Sequence, residues 1–313
     1  MQSSPSRNLS LAVLCAGVLM IVLDQTIVNV ALPSIQADLG FSQAGLAWVV
    51  NAYLVAFAGL LLLAGRMGDL LGRRNVFLGG LALFTAASAV CGLSTSQEML
   101  VAARFIQGAG GAATTAVVLG MIVTLFPEAG AQAKALGVYS FVAAAGGTVG
   151  LVLGGLLTQA LNWHWIFFVN LPIGALTGLL AVRYVGADTG LGVRHGADGW
   201  GALLVTSSLM LGVYAIVDSA AIGWAATAVL GVTALLLMGG FIVRQQMAAK
   251  PLLPLSILRS RSVAGANAIQ GLTVAGMIGL LFLSSLYLEQ VLGFGPLALG
   301  VSFLPASITI GLL

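Results

Sequence analysis

The sequence predicts an all-α, polytopic membrane protein, and three observations predict it. Hydrophobic residues make up 59% of the 313-residue chain and charged residues only 7%. Mean hydropathy is +1.08, more apolar surface than a soluble domain of this length can bury. The apolar residues also fall into separate runs of roughly 20, the length that crosses a hydrocarbon core as a helix. Nearly all the charges lie between the runs. A net charge of +3 then serves orientation in the bilayer and implies no nucleic-acid partner.

Nine full spans and a tenth follow in order: 9–32, 44–64, 75–95, 99–125, 134–160, 164–185, 199–219, 222–243, 263–288 and 298–313. The first lacks a small-x-small cleavage site before a soluble region, so it reads as a helix and not a signal peptide. With the N-terminus inside, loops after even-numbered spans are cytoplasmic. Arg7, Arg66, Arg73, Arg74, Lys134, Arg183, Arg194, Arg244, Lys250, Arg259 and Arg261 then all lie inside or at inner helix ends. Deleting any one span scatters them over both faces, so the asymmetry supports both the count and a cytoplasmic N-terminus in the cell membrane. Cys15 and Cys91 fall within apolar runs, which predicts buried free thiols.

Between spans 2 and 3 stands GRMGDLLGRR (65–74). It carries Arg66, Arg73, Arg74 and Asp69, with Gly65, Gly68 and Gly72 spaced for a tight turn. Spans 7 and 8 are joined by a few residues around 219–223 and carry few polar groups. They read as a hairpin (191–244) inserted after a six-helix unit (1–190). The segment 245–262, with Pro251 and Pro254, reads as a cytoplasmic connector opening a second unit, 245–313. The sequence stops at Leu313 with no charged loop after the tenth span, which reads as a chain lacking about four further helices.

Two charges lie inside spans. Asp24 sits in LDQTIVNVALP (23–33), about two-thirds of the way across the first span. At that depth an ionised carboxyl needs a cavity, a partner or a proton. Burial raises its pKa and a nearby cation lowers it, which suits a group that alternately holds and releases a proton. Arg104, in ARFIQGAGGAA (103–113), reaches a comparable depth, and Gln107 and Gly108 follow on neighbouring faces. Pairing lessens the desolvation problem of both charges. Two roles for Arg104 stay open: tuning or relaying the proton at Asp24, or holding backbone carbonyls of adjacent helices. Asp218 and Glu289 sit at outer helix ends and read as interfacial. His164 and His195 have no His, Cys or acidic neighbour at ligand spacing, so no metal is expected. In the fifth span Gly146, Gly150 and Gly154 recur every four residues, followed by Gly155. Such a face admits a closely packed helix.

Taken in order, LDQTIVNVALP, GRMGDLLGRR, ARFIQGAGGA, the span-5 glycines, WHWIFFVNLPIG (163–174) and FGPLALGVSFLP (294–305) resemble the signatures of the major facilitator superfamily. With the span 7–8 hairpin, the pattern is similar to its fourteen-helix drug:proton antiporter branch, the EmrB/QacA type. The resemblance implies two helical bundles around a central cavity that opens alternately to each side. It implies export of amphipathic, often cationic, small molecules driven by a proton gradient, without a cofactor. Asp24 and Arg104 match the branch's span-1 acid and span-4 arginine. Asp69, Arg73 and Arg74 match loop residues thought to latch the two bundles, Asp69 as an anion near a helix N-terminus. Leu151 departs from the pattern, where proline is usual and would bend the helix and free a carbonyl. His164 stands where arginine is common, and Glu289 where glutamine is.

The leading functional expectation is therefore a proton-coupled exporter of drug-like or antibiotic compounds. A native-metabolite exporter (siderophore, amino acid or secondary metabolite) keeps the same fold, and a transport-inactive fragment is the alternative from a different class. The sequence shows no Walker-type loop, no H-E-x-x-H and no paired Ser/His or Asp/Asp at membrane depth, so neither ATP-driven transport nor an enzyme is expected.

Overall fold

The computed structural model describes residues 4–192 and 198–294, together with positions 298, 301–303, 305 and 309. Arg194, His195 and most of the tenth expected span lie outside the described residues, as does the side chain of Glu289. The first five helices are α1 (Ser4–Leu39), α2 (Gln43–Leu71), α3 (Arg73–Gly92), α4 (Gln97–Leu125) and α5 (Ala129–Ala160). The sixth span is two helices, α6 (Trp165–Phe168) and α7 (Asn170–Tyr184). Then come α8 (Gly199–Val217), α9 (Ser219–Met247) and α10 (Arg261–Gln290). Among the described residues, eight helical segments are long and apolar enough to cross a membrane, and α10 covers the ninth expected span.

Local chemistry fixes the ends. Ser42 and Ser96 cap α2 and α4, accepting from the N–H groups of Gly45 (3.0 Å) and Met99 (3.2 Å). Pro172 falls in the first turn of α7, where its missing N–H removes a donor that has no intrahelical partner. The turn between α2 and α3 differs from the sequence expectation. Gly65 and Gly68 are helical residues within α2, and the reversal is made at Gly72 alone, with φ +90°. Continuing the helix to the membrane edge keeps its backbone groups bonded internally, and only Gly72 needs the left-handed conformation. Gly223 likewise bends α9 near its start, with φ +79°.

In the packed unit, α4 lies along α2 and α3, α1 along α5, and α7 against α1 and α3. Two apolar clusters result. One gathers around Leu14, Phe77, Phe84 and Val118, the other around Ile27, Val49, Leu100 and Phe167. On α1 the first cluster ends at Ile21 and the second begins at Leu23, so Asp24 lies at their junction. Cys15 and Cys91 are buried free thiols. The outward faces invert the soluble pattern, with Trp224 85% exposed.

The α8–α9 hairpin packs on α2 through α8. Asp218, expected at the headgroup boundary, accepts from the Trp48 indole N–H at 3.0 Å, and Trp48 also packs against Tyr214. At the hairpin's other end, Asp198 caps α8. Its carboxylate accepts from the Gly201 N–H, Arg244 Nε and Gln245 Nε2, each at 3.0 Å. Gln245 Oε1 accepts in turn from the Leu253 N–H, so one carboxylate gathers α8, α9 and the connector. Burial opposes its charge, but these donors outweigh burial and hold the carboxyl below its ordinary range. A depressed folded pKa gives stability that is present above about pH 4 and lost on acidification through the folded value. Asp198→Asn is expected to lower thermal stability at pH 7 by about 1–3 kcal/mol, with the deficit shrinking toward pH 3. A deficit independent of pH contradicts this assignment.

Candidate functional site: a buried carboxylate and guanidinium between five helices

Asp24 and Arg104 are 0% and 1% exposed and meet at 2.6 Å, Oδ2 to Nη1. Neutral donors complete the carboxylate's shell. Oδ1 accepts from Gln107 Nε2 and from Asn170 Nδ2, both at 2.8 Å. The same two amides donate to Ser88 Oγ at 3.2 and 3.0 Å, and Ser88 donates to the Phe167 carbonyl at 2.9 Å. All five side chains are buried, so this is a buried polar network in which Asp24 joins α1 to α4 and the α6–α7 junction, the two amides bring in α3 through Ser88, and Asn170 Oδ1 is left without a partner.

Arg104 contacts both the Asp24 carboxylate and a backbone carbonyl of a neighbouring helix. While Nη1 holds Asp24, Nε donates to the Val49 carbonyl on α2 at 2.9 Å. Nη1 also reaches Gln107 Oε1 at 2.7 Å, and the guanidinium lies over the Tyr53 ring, 4.4 Å from its centroid. A planar fork with separate N–H directions is required; a lysine ammonium cannot place donors on Val49 and Asp24 together. Gly108, one residue beyond Gln107, is where α4 meets α2: a Cβ there would strike the Tyr53 carbonyl. Asp24 is thus held at once by groups on α4 and at the α6–α7 break.

Gly146, Gly150 and Gly154 turn toward α1. A Cβ on Gly150 would collide with Thr26 Oγ1 and come within 2.8 Å of the Leu23 carbonyl; one on Gly154 would come within 2.7 Å of the Ile27 carbonyl. Gly146 faces Leu19 and Val22, and Gly155 is buried beside them in sequence. The glycine face therefore seats the part of α1 that carries Asp24. Leu151 lies within an unbroken α5, as expected where proline is replaced by a residue that keeps the helical hydrogen bond.

The α2–α3 loop lies apart from this network. Asp69 pairs with Arg73 at 3.7 Å and Arg66 at 4.0 Å. Arg73 Nη1 donates to the Gly120 carbonyl (3.0 Å) and Arg74 Nη2 to the Val182 carbonyl (2.6 Å), tying the loop to α4 and α7. Gly68 admits Val117 of α4, whereas Gly65 faces open space. The anion at the N-terminus of α3 is Asp188, which accepts from the N–H groups of Arg73 (2.7 Å) and Arg74 (3.1 Å). The segment after α7 continues over the loop, with Leu191 and Gly192 donating to the carbonyls of Asp69 and Leu70. Asp188, Ser88, Asn170 and Tyr53 are residues that sequence reasoning did not single out. Asn170 stands within WHWIFFVNLPIG, where a lone amide between apolar residues was the available signal. His164 stacks on Trp163 at 3.7 Å.

The sequence matches the family model of the Major Facilitator Superfamily over residues 14–313. It is 40% identical over 308 residues to the puromycin resistance protein pur8 of Streptomyces alboniger, covering 98% of this chain and 61% of that protein. It is 38% identical over 300 residues to the cephamycin export protein CmcT of Amycolatopsis lactamdurans, covering 95% and 62%. The chain thus spans about three fifths of the length of these curated relatives. Among solved structures, the POT family transporter PepTSo superposes with a TM-score of 0.60 at 14% identity, covering 96% of this chain and 66% of that one. At that identity the likeness concerns the fold.

Proposed function

The chain belongs to the Major Facilitator Superfamily, and on that premise we propose that the protein is a proton-coupled antiporter that exports amphipathic, drug-like or antibiotic molecules by alternating access. The reading places it in the fourteen-helix branch. It divides the chain into a six-span bundle (1–190), an inserted hairpin (191–244) and the start of a second bundle (245–313), with the N-terminus cytoplasmic. The observation that carries it is the Asp24–Arg104 pair, a single buried carboxylate balanced by a single guanidinium at membrane depth. Protonation of Asp24 removes the charge that holds Arg104 Nη1. The guanidinium keeps its neutral Val49 and Gln107 acceptors but loses its counter-charge, so the helix contact is destabilised and driven to rearrange. A cationic substrate favours the deprotonated carboxyl, and a proton favours the state without substrate, which is the exclusion that antiport requires. The basic α2–α3 loop and Asp69 are proposed as the latch between bundles. Relatives named for antibiotic resistance and export support an antibiotic-like cargo. A relative named for cephamycin export favours one variant of this reading, a secondary metabolite as the native substrate.

The direct test uses purified full-length protein in weakly buffered detergent with a pH dye. Addition of ethidium is expected to release protons from the unaltered protein and none from Asp24→Asn. Equal release from both removes Asp24 from the coupling role.

A further inference from the structure

Away from the Asp24 network, α3 and α7 diverge around a groove of about 720 Å³. Its floor is made of small residues, including Ala82, Ala86, Gly174 and Gly178, and its rim residues Leu179 and Val182 are 71% and 58% exposed. Among the lining residues the only side-chain hydroxyl belongs to Thr85, which is satisfied by the Leu81 carbonyl at 2.7 Å. Nothing polar is therefore offered to a drug-like ligand along the groove. The lining runs from Leu78 to Ala89 on α3 and from Leu171 to Val182 on α7. Eleven helical steps span about 16 Å, half of a ~30 Å hydrocarbon core. The groove is one leaflet deep.

One end is charged. Arg74 lies one turn before Leu78 on the groove face of α3, and Arg183 one turn beyond Leu179 on that of α7. Arg74 Nη2 bridges to the Val182 carbonyl, while its Nε is buried without a partner. Arg183 is exposed and has no hydrogen-bond or ion-pair partner among the described residues. Against Arg66, Arg73, Arg74 and Arg183 stand the two carboxylates Asp69 and Asp188, so this end keeps a net positive charge among the described residues.

We propose that this groove is a binding site for an anionic phospholipid, with one acyl chain against the small-residue floor and the phosphate between Arg74 and Arg183. The apolar trough supplies depth and shape, and the arginine pair selects charge. A bound lipid of this kind bridges α3 and α7 at the end where the α2–α3 loop is anchored. Its headgroup therefore stabilises the loop's present arrangement.

The test is photolabelling of the full-length protein in phosphatidylcholine vesicles with trace phosphatidylglycerol or phosphatidylcholine carrying an acyl-chain diazirine, followed by peptide mapping. Phosphatidylglycerol is expected to label the groove stretches of α3 and α7 in preference to phosphatidylcholine. Arg183→Gln is expected to reduce its labelling about fivefold and to leave phosphatidylcholine labelling unchanged. Gly178→Leu, whose Cβ meets Leu81 at an ordinary 3.6 Å, fills the floor and is expected to suppress labelling by both lipids at the groove only. Equal labelling by the two lipids, or a preference that survives Arg183→Gln, overturns the site. So does absence of label from the groove, which means that another part of the full-length protein covers it.

Discussion

Asp24→Asn in the full-length protein is expected to reduce proton-driven export to the background of cells lacking the protein. The cause is removal of the titrating group, and the geometry separates that cause from misfolding. Asparagine keeps the size of the side chain and one acceptor oxygen, but it strips Arg104 of its counter-charge in a site that is 0–1% exposed. Breaking one half of a buried pair costs about 3–5 kcal/mol, so a lower thermal stability accompanies the loss of transport. The double variant Asp24→Asn/Arg104→Gln removes both charges together. It is expected to recover most of the stability and none of the transport, because no titrating group is restored. Recovery of transport along with stability would assign Asp24 a purely structural role.

Gly150→Leu is expected to damage packing severely. Its Cβ would collide with Thr26 Oγ1 and approach the Leu23 carbonyl, and a backbone atom cannot rotate away. Overpacking of this kind costs about 1–3 kcal/mol and more where the backbone must move. Here the backbone that moves is the turn of α1 holding Asp24. The expected result is a large drop in the yield of monodisperse protein after detergent extraction, with transport lost in what remains. Gly137→Leu on the same helix is the control, since a Cβ there meets nothing within 4 Å. Equal yields from the two variants contradict the view that the glycine face seats α1.

The two intramembrane charges were legible in the sequence because an ionised residue in an apolar run has few ways to exist. Their depths, counted from the ends of the spans, were enough to pair them. Gln107 followed from its spacing to Arg104. Ser88, Asn170 and Tyr53 were not legible. Small hydroxyls, amides and tyrosines occur in many spans without special consequence, and which of them face inward depends on helix rotation. The same reason hid Asp188, whose partners are backbone N–H groups more than a hundred residues away in sequence. Gly65 and Gly68 misled for a different reason. Glycine spacing suggests a turn, but at a membrane boundary the intrahelical hydrogen bonds override low helix propensity. The recurring glycines of α5 were legible as a packing face, while only the structure names α1 as its partner.

In the proposed function a proton gradient drives export. That coupling is tested most directly by efflux of a preloaded fluorescent lipophilic cation from cells expressing the full-length protein, with a protonophore added during the time course. Rapid efflux that stops when the gradient collapses is expected, with none above background from Asp24→Asn. Efflux that continues undiminished after the gradient collapses would contradict that coupling.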